Sequence, residues 1–322
     1  MREDPALLAL DWGTSSLRAY ALGEGGVVLD TRRSEHGVMN LPTGPGIDTP
    51  SAAFEAVLQG LCGDWLAAHP HTPMIACGMV GSAQGWREAR YQPLPARASE
   101  LATALTVIER PGGQPLHVVP GLLQAGELPN VMRGEETQIA GVLQSLADEG
   151  RLPERLLVGL PGTHTKWAWV EDGAVVRFET FMTGEVYAAL SQHTILGRTM
   201  VLGSPHDESA FGRGLRVAQS ELGAMGVLST VFSVRTLGLT RQLAGEAQPD
   251  YLSGLLIGHE VAALAPVVGA GLPVVLCGEA VLCLRYATAL EARGLPPPDI
   301  RAGVTPLGLW RIGQAAGLVR TH

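Results

Sequence analysis

A pattern of three short apolar segments joined by two tight turns occurs twice in this chain, and it constrains the fold more than any other feature. Residues 7–28, LLALDWGTSSLRAYALGEGGVV, read as a strand, a Gly-Thr-Ser-Ser turn, a second strand, a turn at Gly25-Gly26 and a third strand. Residues 156–176, LLVGLPGTHTKWAWVEDGAVV, repeat that order with a Gly-Thr-His-Thr turn and an Asp172-Gly173 turn. Aligning Gly13-Thr14 with Gly162-Thr163 also pairs Ser16 with Thr165 and Ala19 with Ala168. One unit used twice, opening each half of the chain, predicts an α/β protein of two lobes, each a mixed β-sheet flanked by helices. The division is expected at 145/146, with the helix that starts at Glu135 as connector and the segment Gly308 to Val319 packing back on the first lobe.

A Gly turn brings backbone N–H groups close to a ligand and small hydroxyl side chains add donors, so each repeat offers a concave anion site. A single such hairpin would be ordinary; two in register, facing one another, predict a grip on a polyphosphate. The expected phosphate contacts are Gly13, Thr14 and Ser15 in the first turn, and Gly162, Thr163, His164 and Thr165 in the second. The chain has 22 arginines and one lysine, Lys166, which directly follows the second turn, where a compact ammonium could meet a phosphate. Asp11 ends an apolar strand just before the first turn, where a carboxylate is costly unless paired or metal-associated. Mg²⁺ beside phosphate oxygens satisfies it; the counterpart in the second repeat is Leu160, so only the first turn is expected to organise a metal. His164 reads as a neutral hydrogen-bonding element rather than a phosphorylated nucleophile.

Composition narrows the partners. A net charge of −8 without a basic cluster argues against nucleic acid. No uninterrupted apolar run reaches the roughly 18 residues of a membrane span, and Met1–Pro5 lack the basic start and cleavage pattern of a leader, which predicts a cytoplasmic protein. Cys62, Cys77, Cys277 and Cys283 show no zinc-type spacing and read as reduced core residues.

Three further segments carry candidate chemistry. In Asn130-Val131-Met132-Arg133-Gly134-Glu135-Glu136, a glycine breaks the chain and helical apolar spacing follows at Ile139, Val142, Leu143 and Leu146, so both glutamates fall in a first helical turn. There they could complement the helix dipole or serve as a base; Arg133 offers a planar donor fork to a carboxylate or a transferring phosphate. The strand Met74–Cys77 runs into a loop whose Gly78, Gly81 and Gly85 permit close approach, and Ser82, Gln84 and Trp86 offer polar and stacking contacts. A last strand, Pro273–Cys277, ends at Gly278-Glu279 before a helix, a turn that could pass close to a nucleotide or simply cap the helix. Ser204-Pro205-His206-Asp207-Glu208 reads as a helix start, Ser204 as N-cap and Pro205 as N1, rather than as a metal site.

The two hairpins resemble the first and second phosphate motifs of the acetate and sugar kinase, heat-shock chaperone and actin superfamily, whose lobes have the ribonuclease H-like fold. Together with GMVGSAQGW (78–86), NVMRGEETQIAG (130–141), LPGTHTKW (160–167), TGE (183–185) and YLSGLLIGHEV (251–261), they resemble the 2-dehydro-3-deoxygalactonokinase family. The resemblance implies ATP- and Mg²⁺-dependent phosphorylation of the 6-hydroxyl of 2-dehydro-3-deoxy-D-galactonate, in galactonate catabolism, in a cleft whose closure excludes water. It implies Glu135 or Glu136 as base beside Arg133; Gly81, Ser82, Gln84, Trp86 and Arg18 as substrate contacts; Gly278 and Glu279 at adenosine; and Asp11 at the metal. It leaves a homo-oligomer open. The alternatives are a kinase for another sugar acid such as 2-dehydro-3-deoxygluconate, a phosphatase, or an ATP switch on the same scaffold.

Overall fold

The structure, a computed structural model, describes residues 4–268 and 271–319; Met1–Glu3, part of the segment read above for a leader, lie outside them. The chain forms two compact units, Met1–Glu154 with Val170–Phe178 and Gly303–His322, and Arg155–Trp169 with Glu179–Ala302.

In the first unit, β1 (Leu7–Trp12), β2 (Leu17–Leu22) and β3 (Val28–Ser34) form an antiparallel meander. After α1 (Pro50–Ala68), which Thr49 caps at the N-terminus, β4 (Met74–Gly78) returns parallel to β1 and places Asp11 opposite Cys77 and Trp12 opposite Gly78. Strand β5 (Tyr91–Pro93), helix α2 (Ala98–Thr103) and strands β6 (Thr106–Ile108), β7 (Leu116–Val118), β8 (Gly121–Gln124) and β9 (Asn130–Met132) follow. They complete a six-stranded sheet of order β3-β2-β1-β4-β7-β6 and a small sheet β5-β8-β9. Alternate residues of β1 (Leu8, Leu10, Trp12) meet Phe54, Val57 and Leu58 of α1 in one core, as a half-buried strand's period of two requires.

Helix α3 (Glu135–Asp148) ends at Gly150 in the left-handed region, where the Arg151 N–H bonds back to the Leu146 carbonyl. Strands β10 (Arg155–Leu160), β11 (Thr165–Glu171) and β12 (Ala174–Phe181) follow; β10 and most of β11 belong to the second unit, while Val170–Phe178 count with the first. Asp172 and Gly173, both at positive φ, make the two-residue turn between β11 and β12, the geometry that joins antiparallel strands. Helices α4 (Thr183–His193), α5 (Glu208–Ala218), α6 (Val227–Thr230), α7 (Ser233–Leu239) and α8 (Gln248–Val268) precede β13 (Val274–Cys277), α9 (Ala280–Ala292) and β14 (Asp299–Arg301). The sheet order is β12-β11-β10-β13-β14, with β13 parallel to both β10 and β14. The two larger sheets thus each begin as a three-strand meander and continue through a parallel strand beside the first, the ribonuclease H-like order.

The sequence places one division at 145/146, whereas the first unit keeps all of α3, runs to Glu154 and takes back two later segments. Residues 170–178 belong to it because Ala96 bridges Val175 and the Asp172 N–H bonds to the Glu154 carbonyl. Helix α10 (Thr305–Ala315) belongs to it because it crosses α3 backbone to backbone: a Cβ on Gly308 would lie 1.9 Å from the Thr137 carbonyl oxygen.

Helix α8 alone among the described residues is long and apolar enough to cross a membrane, although Asp250, His259 and Glu260 interrupt its apolar run. Two-thirds of its most apolar stretch (67%) is buried here, and a helix apolar on all sides is what the middle of a helical layer needs. At the start of α5 the cap differs from the sequence reading: Asp207 is the N-cap, accepting from the Ala210 N–H, while the Ser204 hydroxyl donates to the Val201 carbonyl. The carboxylate three residues closer to the helix supersedes the serine, and His206 reaches Asp250. All four cysteines are free and buried, and burial pushes the Cys62 and Cys277 thiols up to about 12.

Candidate functional site

In the first unit, the ends of β1 and β4 and the head of α3 converge. Gly134, at φ 106°, is the N-cap of α3 and lies against Gly78: a Cβ on it would come 3.3 Å from the Gly78 Cα. A side chain at Gly134 would press the helix head away from the strand end, and one at Gly78 would come 2.8 Å from the Trp12 carbonyl oxygen. Glu136 is buried at 2% exposure, its Oε2 accepting from the Gly134 N–H at 2.7 Å and its Oε1 from the Thr137 hydroxyl at 3.0 Å. Burial, then the charge of Glu135, push its pKa up to about 8. Glu135 is half-buried and accepts from the Arg133 N–H at 3.0 Å. Cys77 sits close enough to sense both Asp11 and Glu136, and burial first, then those two carboxylates, raise its pKa.

Glu136 predicts a pH dependence of stability. Its folded pKa lies above that of the unfolded chain, so the folded state holds the extra proton; stability is full below about pH 4.5 and declines as pH rises through about 8. A Glu136→Gln variant cannot ionise, so its stability relative to wild type should rise steadily between pH 5 and pH 9, by an amount on the order of a few kcal/mol, and its melting temperature should rise with it. Thermal melts across that range check it; a gap that does not change with pH contradicts the assignment.

Asp11 is about a quarter exposed; desolvation raises its pKa and Arg18, 3.8 Å away, opposes that rise. Among the described residues no three His, Cys, Asp or Glu side chains cluster as an all-protein metal cage. A lone carboxylate suits Mg²⁺ that completes its shell with water and phosphate oxygens.

Thr14, Ser15 and Ser16 of the first turn are exposed. The segment after β3 braces them: the N–H groups of Val38 and Met39 bond to the carbonyls of Gly13 and Thr14, and a Cβ on Gly37 would lie 2.4 Å from the amide nitrogens of Ser15 and Ser16. The second unit repeats the device. Three residues past β12, Gly184 packs so closely that a Cβ would lie 2.4 Å from the Gly162 carbonyl oxygen, and the Glu185 N–H bonds to the Thr163 carbonyl. The repeat therefore extends one step beyond what the sequence comparison aligned; the signal was a glycine three residues past the third strand of each copy.

Loop 79–86 holds Gly81 and Ser82 buried and Gln84 exposed. Ser82 Oγ and the Nε and Nη1 of Arg133 are buried without a hydrogen-bond partner. A Cβ on Gly81 would come 3.1 Å from Arg133 Nη1, so that glycine makes room for the guanidinium, which also lies over the Tyr91 ring and donates from Nη2 to the Ala89 carbonyl at 2.8 Å. Gly85 is demanded by its own loop, where a Cβ would lie 2.2 Å from the Val80 carbonyl oxygen. Trp86, expected at the substrate, is half-buried: its ring stacks on Phe54 at 5.5 Å against the core and its Nε1–H goes to the Ser51 hydroxyl.

In the second unit, a cavity of about 460 Å³ opens beside the second turn, between the first turn of α4 and helices α8 and α9. Gly162, Thr163 and Thr183 give it a polar end; Leu256, Ile257 and Leu282 give it an apolar wall. Glu279 lines it while capping α9, accepting from the N–H groups of Val281 at 3.0 Å and Leu282 at 2.9 Å. Gly278 lies against Pro161, whose carbonyl oxygen a Cβ would approach to 3.1 Å, so this glycine fits one turn to the other.

Two residues expected at phosphate lie inward. Thr165 begins β11 and strand alternation turns it to the core, where its hydroxyl meets the Tyr286 hydroxyl at 2.9 Å. Lys166 is buried and donates to the Thr180 hydroxyl at 2.8 Å. His164 stays exposed and its Nε2 pairs with Glu185. Sequence reasoning missed Tyr187, Arg285 and Tyr286 on the cavity wall, because no turn or motif in the sequence marks their positions.

Two units built on the same meander and parallel strand, each with a braced Gly-Thr turn, define the two-lobed α/β fold of the actin-like ATPases. The chain belongs to the 2-keto-3-deoxy-galactonokinase family, whose model matches residues 11–312. It is 36% identical over 290 residues to the 2-dehydro-3-deoxygalactonokinase of Escherichia coli (strain K12), covering 89% of this chain and 90% of that one. It is equally 36% identical, over 291 residues and 89% of each chain, to the Rhizobium meliloti (strain 1021) protein named "Probable 2-dehydro-3-deoxygalactonokinase". The crystal structure of a Sinorhizobium meliloti protein described as a "putative 2-dehydro-3-deoxygalactonokinase" superposes with a TM-score of 0.76 at 35% identity, covering 96% of this chain and 98% of that one.

Proposed function

We propose that this chain transfers the terminal phosphoryl group of ATP to the 6-hydroxyl of 2-dehydro-3-deoxy-D-galactonate, with Mg²⁺, as a step in galactonate breakdown. Its family membership supports the activity, and one observation in the first unit supports the substrate class. Buried guanidinium N–H groups and a buried hydroxyl without acceptors are costly, and an anionic ligand meets that cost. Arg133 and Ser82 therefore hold the carboxylate of a sugar acid.

Glu135 is assigned as the base. It is the half-buried member of the pair and lies beside Arg133, whose N–H it accepts, whereas Glu136 is enclosed and keeps its proton at neutral pH. Glu135 orients the 6-hydroxyl and takes its proton as the oxygen attacks phosphorus. Burial first, and then the negative charge of Glu135, keep Glu136 protonated, and the buried neutral Glu136 holds the helix head by its bond to Gly134. In the second unit, the apolar wall of the cavity suits adenosine and its Gly162-Thr163 end suits phosphates. The exposed Thr14 and Ser15 present further donors to phosphate oxygens. Mg²⁺, where bound at Asp11, would neutralise charge on the transferred group.

An ADP-release assay over a panel of sugar acids tests this reading. ADP should form with 2-dehydro-3-deoxy-D-galactonate and fall to background without an acceptor; phosphate release without any acceptor would point instead to a phosphatase. Turnover on the gluconate epimer at an equal rate would widen the substrate to both sugar acids.

A further inference from the structure

The cluster around His206, which the sequence presents as a helix start, has a second connection that its role at α5 does not explain. Asp250, 5% exposed on α8, is the node. It accepts from Arg285 Nη2 at 2.6 Å and from the Asp207 N–H at 2.7 Å, and His206 Nδ1 lies 2.9 Å from its Oδ1. Arg285 Nη1 donates to the Ser253 hydroxyl at 2.9 Å, and its guanidinium lies 5.6 Å above the Phe211 ring. An arginine side chain with two anchored nitrogens and a supporting ring has given up its rotamer freedom before any ligand arrives. Its position gives that rigidity a use: Arg285 lines both the 460 Å³ cavity beside Gly162-Thr163 and a polar cavity of about 190 Å³ on the His206 side. It is thus a fixed cation in the wall between them.

The structure assigns Arg285, we infer, as a binding residue for the nucleoside half of the nucleotide, with Asp250 as its positioning residue. The inference rests on the reading of the larger cavity as the adenosine site. The cavity's phosphate end is formed by the Gly162-Thr163 turn, whereas Arg285 shares its wall with Ser253, Leu256 and Leu282 of α8 and α9. A guanidinium there meets ribose oxygens, ring nitrogens or the face of a purine. Asp250 compensates its charge, so the cavity can take an uncharged nucleoside without a surplus of positive field.

Calorimetric titration of the full chain with ADP and Mg²⁺, and competition of that binding by adenosine, tests the assignment. Arg285→Met, which keeps the stem over Phe211, should weaken ADP and adenosine by the same factor, tenfold or more, and raise the KM for ATP while leaving that for the sugar acid unchanged. Asp250→Asn should move both ligands in the same direction by less, and provides the reading should Arg285→Met fail to fold. Wild-type affinity for both ligands in these variants overturns the assignment. Weakening of ADP without weakening of adenosine also overturns it, by placing Arg285 at the phosphates. Failure of the wild-type chain to bind ADP would instead remove the adenosine reading on which the assignment stands.

Discussion

A Glu135→Gln variant is expected to lose about a hundredfold or more in kcat while binding ATP as the wild type does, because general-base assistance contributes on that order and the amide keeps the side chain's size. Glu136→Gln should lose less than about tenfold. The asymmetry follows from the environments of the two groups rather than from their chemistry. Glu136 is enclosed, bonded to the Gly134 N–H and the Thr137 hydroxyl, and already neutral at physiological pH, so an amide changes little there. Glu135 is only half-buried and accepts from the Arg133 N–H. Steady-state kinetics with calorimetric ATP binding separate the two; the reverse ranking would move the base to Glu136, and wild-type turnover in both variants would remove it from this helix.

Arg133→Met should raise the KM for the sugar acid about a hundredfold with the KM for ATP unaltered. Charge-assisted hydrogen bonds contribute roughly 1.5–3 kcal/mol each, and about 3 kcal/mol corresponds to that factor. Lysine should recover only part of the loss, since its single ammonium cannot keep the bond to the Ala89 carbonyl and the position over Tyr91 while also reaching a carboxylate. The discriminating comparison is kcat against KM. A fall in kcat with KM unchanged would show that Arg133 meets the transferring phosphoryl group instead of the bound acid.

Much of this arrangement was legible in the sequence, for reasons that differ from residue to residue. The two meanders could be read because their turns are short and their strands apolar, and Asp172-Gly173 announces its own backbone geometry. The start of α3 could be read because Gly134 breaks the chain immediately before a helical apolar period. Thr165 was misplaced because the strand begins at that residue, one step earlier than the turn's likeness to Gly-Thr-Ser-Ser suggests, so its side chain follows the period of the strand into the core. The packing of Trp86 on Phe54 and its bond to Ser51 were not legible, because both partners lie more than thirty residues away in the chain. The return of residues 170–178 and 303–322 to the first unit depends on contacts such as Gly308 against Thr137, which no local pattern encodes. The orphaned donors of Arg133 and Ser82 are likewise visible only once the surrounding acceptors have been counted.

Locating the phosphate on the product is the most direct test of the activity. The chain, incubated with ATP, Mg²⁺ and 2-dehydro-3-deoxy-D-galactonate, should yield one ADP for each sugar phosphate, and phosphorus–proton correlation in the NMR spectrum should couple the new phosphate to the protons on C6. Formation of ADP at a rate indifferent to the sugar acid, with inorganic phosphate as the only new phosphorus signal, would contradict it.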